Sequence, residues 1–72
     1  MVDTKRLRTK IRESGLTIEI LSQQIGIDDS TFYRKLQNGG KSFTLDELDR
    51  IKVALNLDNR TAEEIFFAQK LA

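Results

Sequence analysis

Apolar residues recur along this chain at steps of three and four, the spacing of one helix face, and nowhere alternate with polar residues over the length of a strand. Leu7 and Ile11 make the first such pair. Ile18, Leu21 and Ile25 make the next set, Phe32 and Leu36 a third, Leu48, Ile51 and Leu55 a fourth, and Ile65, Phe66 and Ala68 a last. The residues between these sets are helix punctuation. Asp3 or Thr4 can cap the first helix and Gly15 can stop it. Thr17 suits the cap of the second, Gly26 its end, and Asp28 the cap of the third. Residues 38–42, Asn-Gly-Gly-Lys-Ser, read as a loop, because two successive glycines are costly inside a helix. Thr44 to Glu47, Thr-Leu-Asp-Glu, has the form of a capping box, and Phe43 and Leu45 beside it are expected to lock the fourth helix onto the core. Thr61 to Glu64 repeats the capping form and is expected to open the fifth helix. The pattern predicts five short helices in one all-α domain over residues 1–72, with no internal repeat, low-complexity stretch or linker.

Composition narrows the chemistry. At 72 residues the chain buries only about 60% of its unfolded surface, so its core has to be economical. A hydrophobic content of 39% and a charged content of 32% suit a soluble globular domain. There is no cysteine, which fits a reducing, cytoplasmic setting, and no histidine, which removes the commonest general base and metal ligand. No catalytic motif is visible, and the glycine pair follows a helix rather than a strand, so no enzyme, cofactor, metal or small-molecule substrate is expected. No apolar run approaches the roughly 18 residues that span a membrane, and the charged start lacks the apolar segment of a signal peptide. Net charge is +1, divided into +3 over residues 1–41 and −2 over residues 42–72. The mildly basic front half points to a DNA-facing side.

Residues 16–39 carry a more specific signal. A small residue, Ser22, is followed four positions later by Gly26, then by apolar Ile27, and Phe32 stands six positions after the glycine. A helix-turn-helix needs these: the small residue lets two helices cross closely, the glycine makes the turn, and the apolar residues pin the crossing. With one helix before it and two after, the chain resembles the Cro/CI-type, lambda-repressor-like helix-turn-helix family over roughly residues 4–67, the helix-turn-helix unit itself lying at about 17–37. The stretch TFYRKLQNGGKSFTLDELDRI, with LNL and EEIFF after it, is further similar to a group of very small phage regulators from Gram-positive hosts, the antirepressors of lactococcal temperate phage switches. Two departures from the wider family bear on how DNA is read. The family commonly has Gln at the position of Ile18, where it reaches a phosphate, and Ser, Gln, Arg or Thr where Asp28 and Asp29 open the third helix.

Those aspartates set the central question. Asp28 is well suited to cap the helix, and carboxylates in a first turn favour the helix dipole by about 0.3–1 kcal/mol each. Asp29 can accept from cytosine N4, or the acidic pair can meet basic groups of another protein. The helical step places Ser30, Arg34 and Gln37 on the face opposite Phe32 and Leu36, with Tyr33 beside them. Arg34 can take guanine and Gln37 adenine. Lys35, Asn38 and Lys41 are expected as phosphate or rim contacts. Lys5, Arg6, Arg8, Lys10 and Arg12 read as a solvated helix face. Phe66 and Phe67 point about 100° apart, so Phe66 is expected in the core, and Phe67 with Leu71 is a candidate oligomer interface. The resemblance implies an antirepressor that binds a CI-type repressor and modulates its hold on operator DNA in the host bacterial cytoplasm. The alternative is a stand-alone Cro-like repressor that binds operator DNA as a homodimer.

Overall fold

The structure is a computed structural model and describes residues 1–68. Five helices follow one another: α1 (Thr4–Ser14), α2 (Ile18–Ile25), α3 (Asp29–Gln37), α4 (Leu45–Ala54) and α5 (Asn59–Phe66). Among the described residues there is no strand. The all-α, five-helix expectation therefore stands, and no helix is long and apolar enough to cross a membrane.

Most ends are where the punctuation placed them. Asp3 accepts the Arg6 N–H at 3.1 Å to start α1, and Thr17 accepts the Ile20 N–H at 3.1 Å to start α2. Thr44 and Glu47 make a full capping box, with Thr44 Oγ1 accepting the Glu47 N–H at 3.0 Å and Glu47 Oε1 accepting the Thr44 N–H at 2.9 Å. The fifth helix differs from expectation. Asp58 caps it, and the Thr61 N–H donates to Asp58 Oδ1 at 2.7 Å. Thr61 is thus the third residue inside the helix and not its cap, because an ionised carboxylate three positions upstream takes its N–H. The Thr61 bonds hold the Asp58 carboxyl below its usual range.

Every helix sends its apolar row inward. Leu7, Ile11, Leu21, Ile25, Phe32, Leu36, Leu48, Ile51, Leu55, Ala62, Ile65 and Phe66 are buried, joined by Val2 from the chain's start and Phe43 from the loop before α4. Leu45 does not join them. At the first position of α4 it stands 72% exposed, and of the two residues only Phe43 is buried. α2 packs between α3 and α4, and α1 lies against α5. The Cα radius of gyration is 11.2 Å, about the value a compact chain of this length should have.

Two further ties hold the platform for α3. The Asp3 N–H donates to the Ile65 carbonyl at 2.7 Å, which draws the chain's start across α5 and seats Val2 against the loop after α3. There Gly40 has φ +75, and a Cβ on it would come within 2.6 Å of Val2 Cβ. Any larger residue would have to push the two segments apart. Arg50 closes the other side, donating from Nη1 to the Ile25 carbonyl at the end of α2 (3.2 Å) while its Nε pairs with Asp46 at 3.1 Å.

Candidate functional site

The turn from α2 into α3 is built as the residue spacing requires. Gly26 sits at φ +83, where glycine alone is unstrained, and its N–H and that of Ile27 both donate to the Ser22 carbonyl, at 2.9 and 3.1 Å. Ser22 is 1% exposed. Its hydroxyl donates to the Ile18 carbonyl at 2.7 Å, so a polar atom is satisfied at a crossing that a longer side chain would wedge open. With Phe32 and Leu36 buried, the 100° step carries Ser30, Tyr33, Arg34 and Gln37 to the outside, all exposed together with Asp28 and Asp29. The sequence expects this group at the outside of the third helix, and each of its residues is exposed.

The acidic end of that surface differs in detail from expectation. Asp28 holds the N-cap position of α3, but its side chain makes no capping hydrogen bond. Asp29 Oδ1 instead accepts the Ser30 N–H at 2.8 Å, taking the donor that an N-cap ordinarily satisfies. The Asp28 carboxylate is left facing solvent. A third carboxylate joins from α2. Tyr33 Oη donates to Glu19 Oε2 at 3.2 Å, linking α3 to α2 across 14 residues of sequence. Partial burial and this Glu19 bond raise the Tyr33 phenol above its ordinary value; Asp29 adds to the rise, and the positive charge of Arg8 opposes it. Glu19, Asp28 and Asp29 border a cleft of about 310 Å³ that Ile20 and Gln23 also line. Glu19 carried no local signal of this role, since it reads as an ordinary first-turn acid after the Thr17 cap. Ile18 packs partly against the core, and its aliphatic side chain offers no donor there.

The basic end is thinner than the sequence implies. Arg34 and Lys41 are exposed, and their side chains make no ion pair or hydrogen bond among the described residues. Lys35 is turned away. Its Nζ lies 2.6 Å from Glu47 Oε1, with the two side chains 13% and 14% exposed, and 5.8 Å from the centroid of the Phe43 ring. Expected beside the outer face, it is instead a strut between α3 and α4. Burial disfavours a charged Glu47, but the hydrogen bond from Lys35, the Thr44 N–H and the Lys35 charge outweigh it and hold the carboxyl below its ordinary value of 4.5. Asn38 Nδ2 donates to Ser42 Oγ at 2.9 Å, bracing the loop from its exposed side.

Phe67, just past α5, is 54% exposed as expected. Leu71, its suggested partner in an oligomer interface, lies outside the described residues. With Met1 and Leu45, Phe67 rims an apolar hollow of about 460 Å³ floored by Val2, Phe43 and Phe66.

The arrangement is a fixed helix presenting an acidic first turn, a central Tyr-Arg pair and a glutamine on one open surface. A family model described as the Cro/C1-type HTH DNA-binding domain matches residues 6–61, and the chain belongs to that family. Neither a curated protein nor a solved structure matches the chain.

Proposed function

We propose that this Cro/C1-type helix-turn-helix protein is an antirepressor of a phage lysis–lysogeny switch. In this reading its α2–α3 surface docks on the DNA-binding surface of a CI-type repressor in the bacterial cytoplasm and modulates that repressor's hold on operator DNA. The observation that carries the reading is the Asp28 carboxylate, exposed and without a capping bond, beside Asp29 and Glu19. A helix N-terminus ordinarily attracts phosphate through its free N–H groups. Three carboxylates at that end repel phosphate and attract arginine and lysine, which a repressor's DNA-binding surface supplies. Such complementarity speeds encounter and sets orientation. Tyr33, pinned by Glu19, and Arg34 would form the centre of the contact, since rigid aromatic and arginine side chains dominate protein interfaces. Ser30 and Gln37 flank them, and Asn38 and Lys41 lie at the rim. The likeness of residues 31–51 to small phage antirepressors supports the same reading.

A second reading is favoured by the free side chains of Arg34, Gln37 and Lys41. A Cro-like repressor would place Arg34 on guanine and Gln37 on adenine, with Lys41 on phosphate. It would bind two half-sites about 34 Å apart as a homodimer. The apolar surface around Phe67, extended by Leu71, would join the copies.

Fluorescence anisotropy of labelled intergenic DNA from the protein's own genome separates the two. Antirepression predicts that the protein alone binds only in the non-specific range, about 10⁻⁴–10⁻⁶ M at physiological salt, and that it weakens the hold of added repressor on the same DNA. Specific binding at about 10⁻⁸ M or tighter by the protein alone would favour the Cro-like reading.

A further inference from the structure

The helices α4 and α5 leave an apolar trough open. The hollow of about 460 Å³ rimmed by Met1, Leu45 and Phe67 adjoins a second of about 320 Å³, and the two share Leu45, Leu48, Phe66 and Phe67. Leu48 and Phe66 belong to the core, while the three rim side chains are exposed. Proteins that work as monomers seldom leave a contiguous apolar surface uncovered. The charges along the trough are uneven. Lys41 borders its larger part. Asp49 and Glu63 border the smaller part and make no ion pair among the described residues. Lys52, the one base there, has its Nζ engaged with Asn59 Oδ1, so the smaller part keeps an acidic edge.

The chain continues past this trough. Phe67 lines both of its parts, and residues 69–72, Gln-Lys-Leu-Ala, follow Phe67 by way of Ala68. We propose that this segment folds back over its own trough, with Leu71 covering Met1 and Leu45 above the floor of Val2, Phe43 and Phe66, and with Lys70 paired to Asp49 or Glu63. The reach is sufficient. Leu71 stands four residues after Phe67, a span of up to about 14 Å, and Phe67 is already at the trough. The chemistry matches, because an apolar and a basic residue meet an apolar floor with an acidic edge. The tether favours the same chain over another, since a segment on so short a linker meets its site at about millimolar effective concentration. A second copy fits less well. A standard interface takes about 800 Å² from each partner, more than three apolar side chains expose. The seal would press both stretches flanking the domain onto the loop after α3, where Val2 already lies against Gly40. It forms whichever partner the α3 surface takes, and a homodimer through Phe67 would have to displace it.

The direct test is nuclear magnetic resonance on the full wild-type chain with isotope-labelled methyl groups. The Leu71 methyls should show nuclear Overhauser contacts to the Phe43 ring, the Leu45 methyls or Met1. In an equimolar mixture of labelled and unlabelled chains, those contacts should be missing from the isotope-filtered spectrum, because they run within one chain. A variant gives a second readout. Leu71→Asp places a charge over the trough and should lower the thermal midpoint by about 4–8 °C. It should also raise the fluorescence of anilinonaphthalene sulfonate, which binds uncovered apolar surface. Leu71→Met keeps an apolar cover and should leave both readings near the wild type, as should Gln69→Ala in the same segment. Leu71 methyls at unfolded-chain shifts, without contacts to the trough, would overturn the proposal. So would contacts that persist in the filtered spectrum, which would make the trough a surface between two copies. Equal midpoint and dye binding for Leu71→Asp and the wild type would overturn it as well.

Discussion

The two faces of α3 are used to different degrees. Its inner face is fully committed. Phe32 and Leu36 are buried, Phe32 meets the Phe43 ring edge-on at 5.3 Å, and Lys35 is clamped to Glu47. Its outer face makes two polar contacts, Tyr33 to Glu19 and Asp29 to the Ser30 N–H, and leaves Asp28, Arg34 and Gln37 without any among the described residues. The same helix is thus a wedge on one side and an open surface on the other. The difference teaches that the fold does not need the outer residues. Their identities are free to serve a contact, and the inner face holds them in a fixed geometry, as a binding surface requires.

The contrast can be broken from the inside first. Phe32→Ala removes a fully buried ring and should cost about 3–5 kcal/mol, read as a large drop in the urea midpoint; the outer face should lose its function with it. Lys35→Ala should cost about 1.5–3 kcal/mol, the worth of a charge-assisted hydrogen bond shielded from water, and leave the salt dependence of any DNA binding unchanged. Unchanged stability with a salt slope reduced by about one unit would instead move Lys35 to the outer face.

The same strut gives a pH signature. The Glu47 carboxyl is lowered from 4.5, so its contribution to stability is complete above that value and is lost as pH falls through the lower folded-state value. Urea unfolding as a function of pH should show this loss on the acid side, and Glu47→Gln should flatten it. The outer face gives the smallest change in stability. Arg34→Ala should shift it by no more than about 0.5 kcal/mol, while weakening partner binding at least tenfold. A large stability loss there would erase the distinction between the faces.

Much of the inner face was legible in the sequence because it depends on period and caps. Leu7 through Phe66 follow one helical spacing, and Thr17, Gly26 and Thr44 act on neighbours within four residues. The outer set followed from the inner one by rotation alone. What escaped was decided by competition or by distance in sequence. Asp58 and Thr61 are both good caps, and only geometry shows the first taking the N–H of the second. Asp28 and Asp29 compete for one donor in the same way. Lys35 meets Glu47 across 12 residues and Tyr33 meets Glu19 across 14, separations at which no local pattern speaks. Leu45 is apolar beside a buried Phe43, yet the first position of α4 turns it to solvent.

The central claim is that the acidic first turn of α3 is made for a basic protein surface. The direct measurement is release of the CI-type repressor from labelled operator DNA, titrated with the wild-type protein and with Asp28→Lys/Asp29→Lys. The wild type should weaken the repressor's hold on the operator, and the charge-reversed variant, folded by circular dichroism, should need at least about tenfold more protein, equivalent to about 1.4 kcal/mol. Equal potency of the two proteins would contradict the claim.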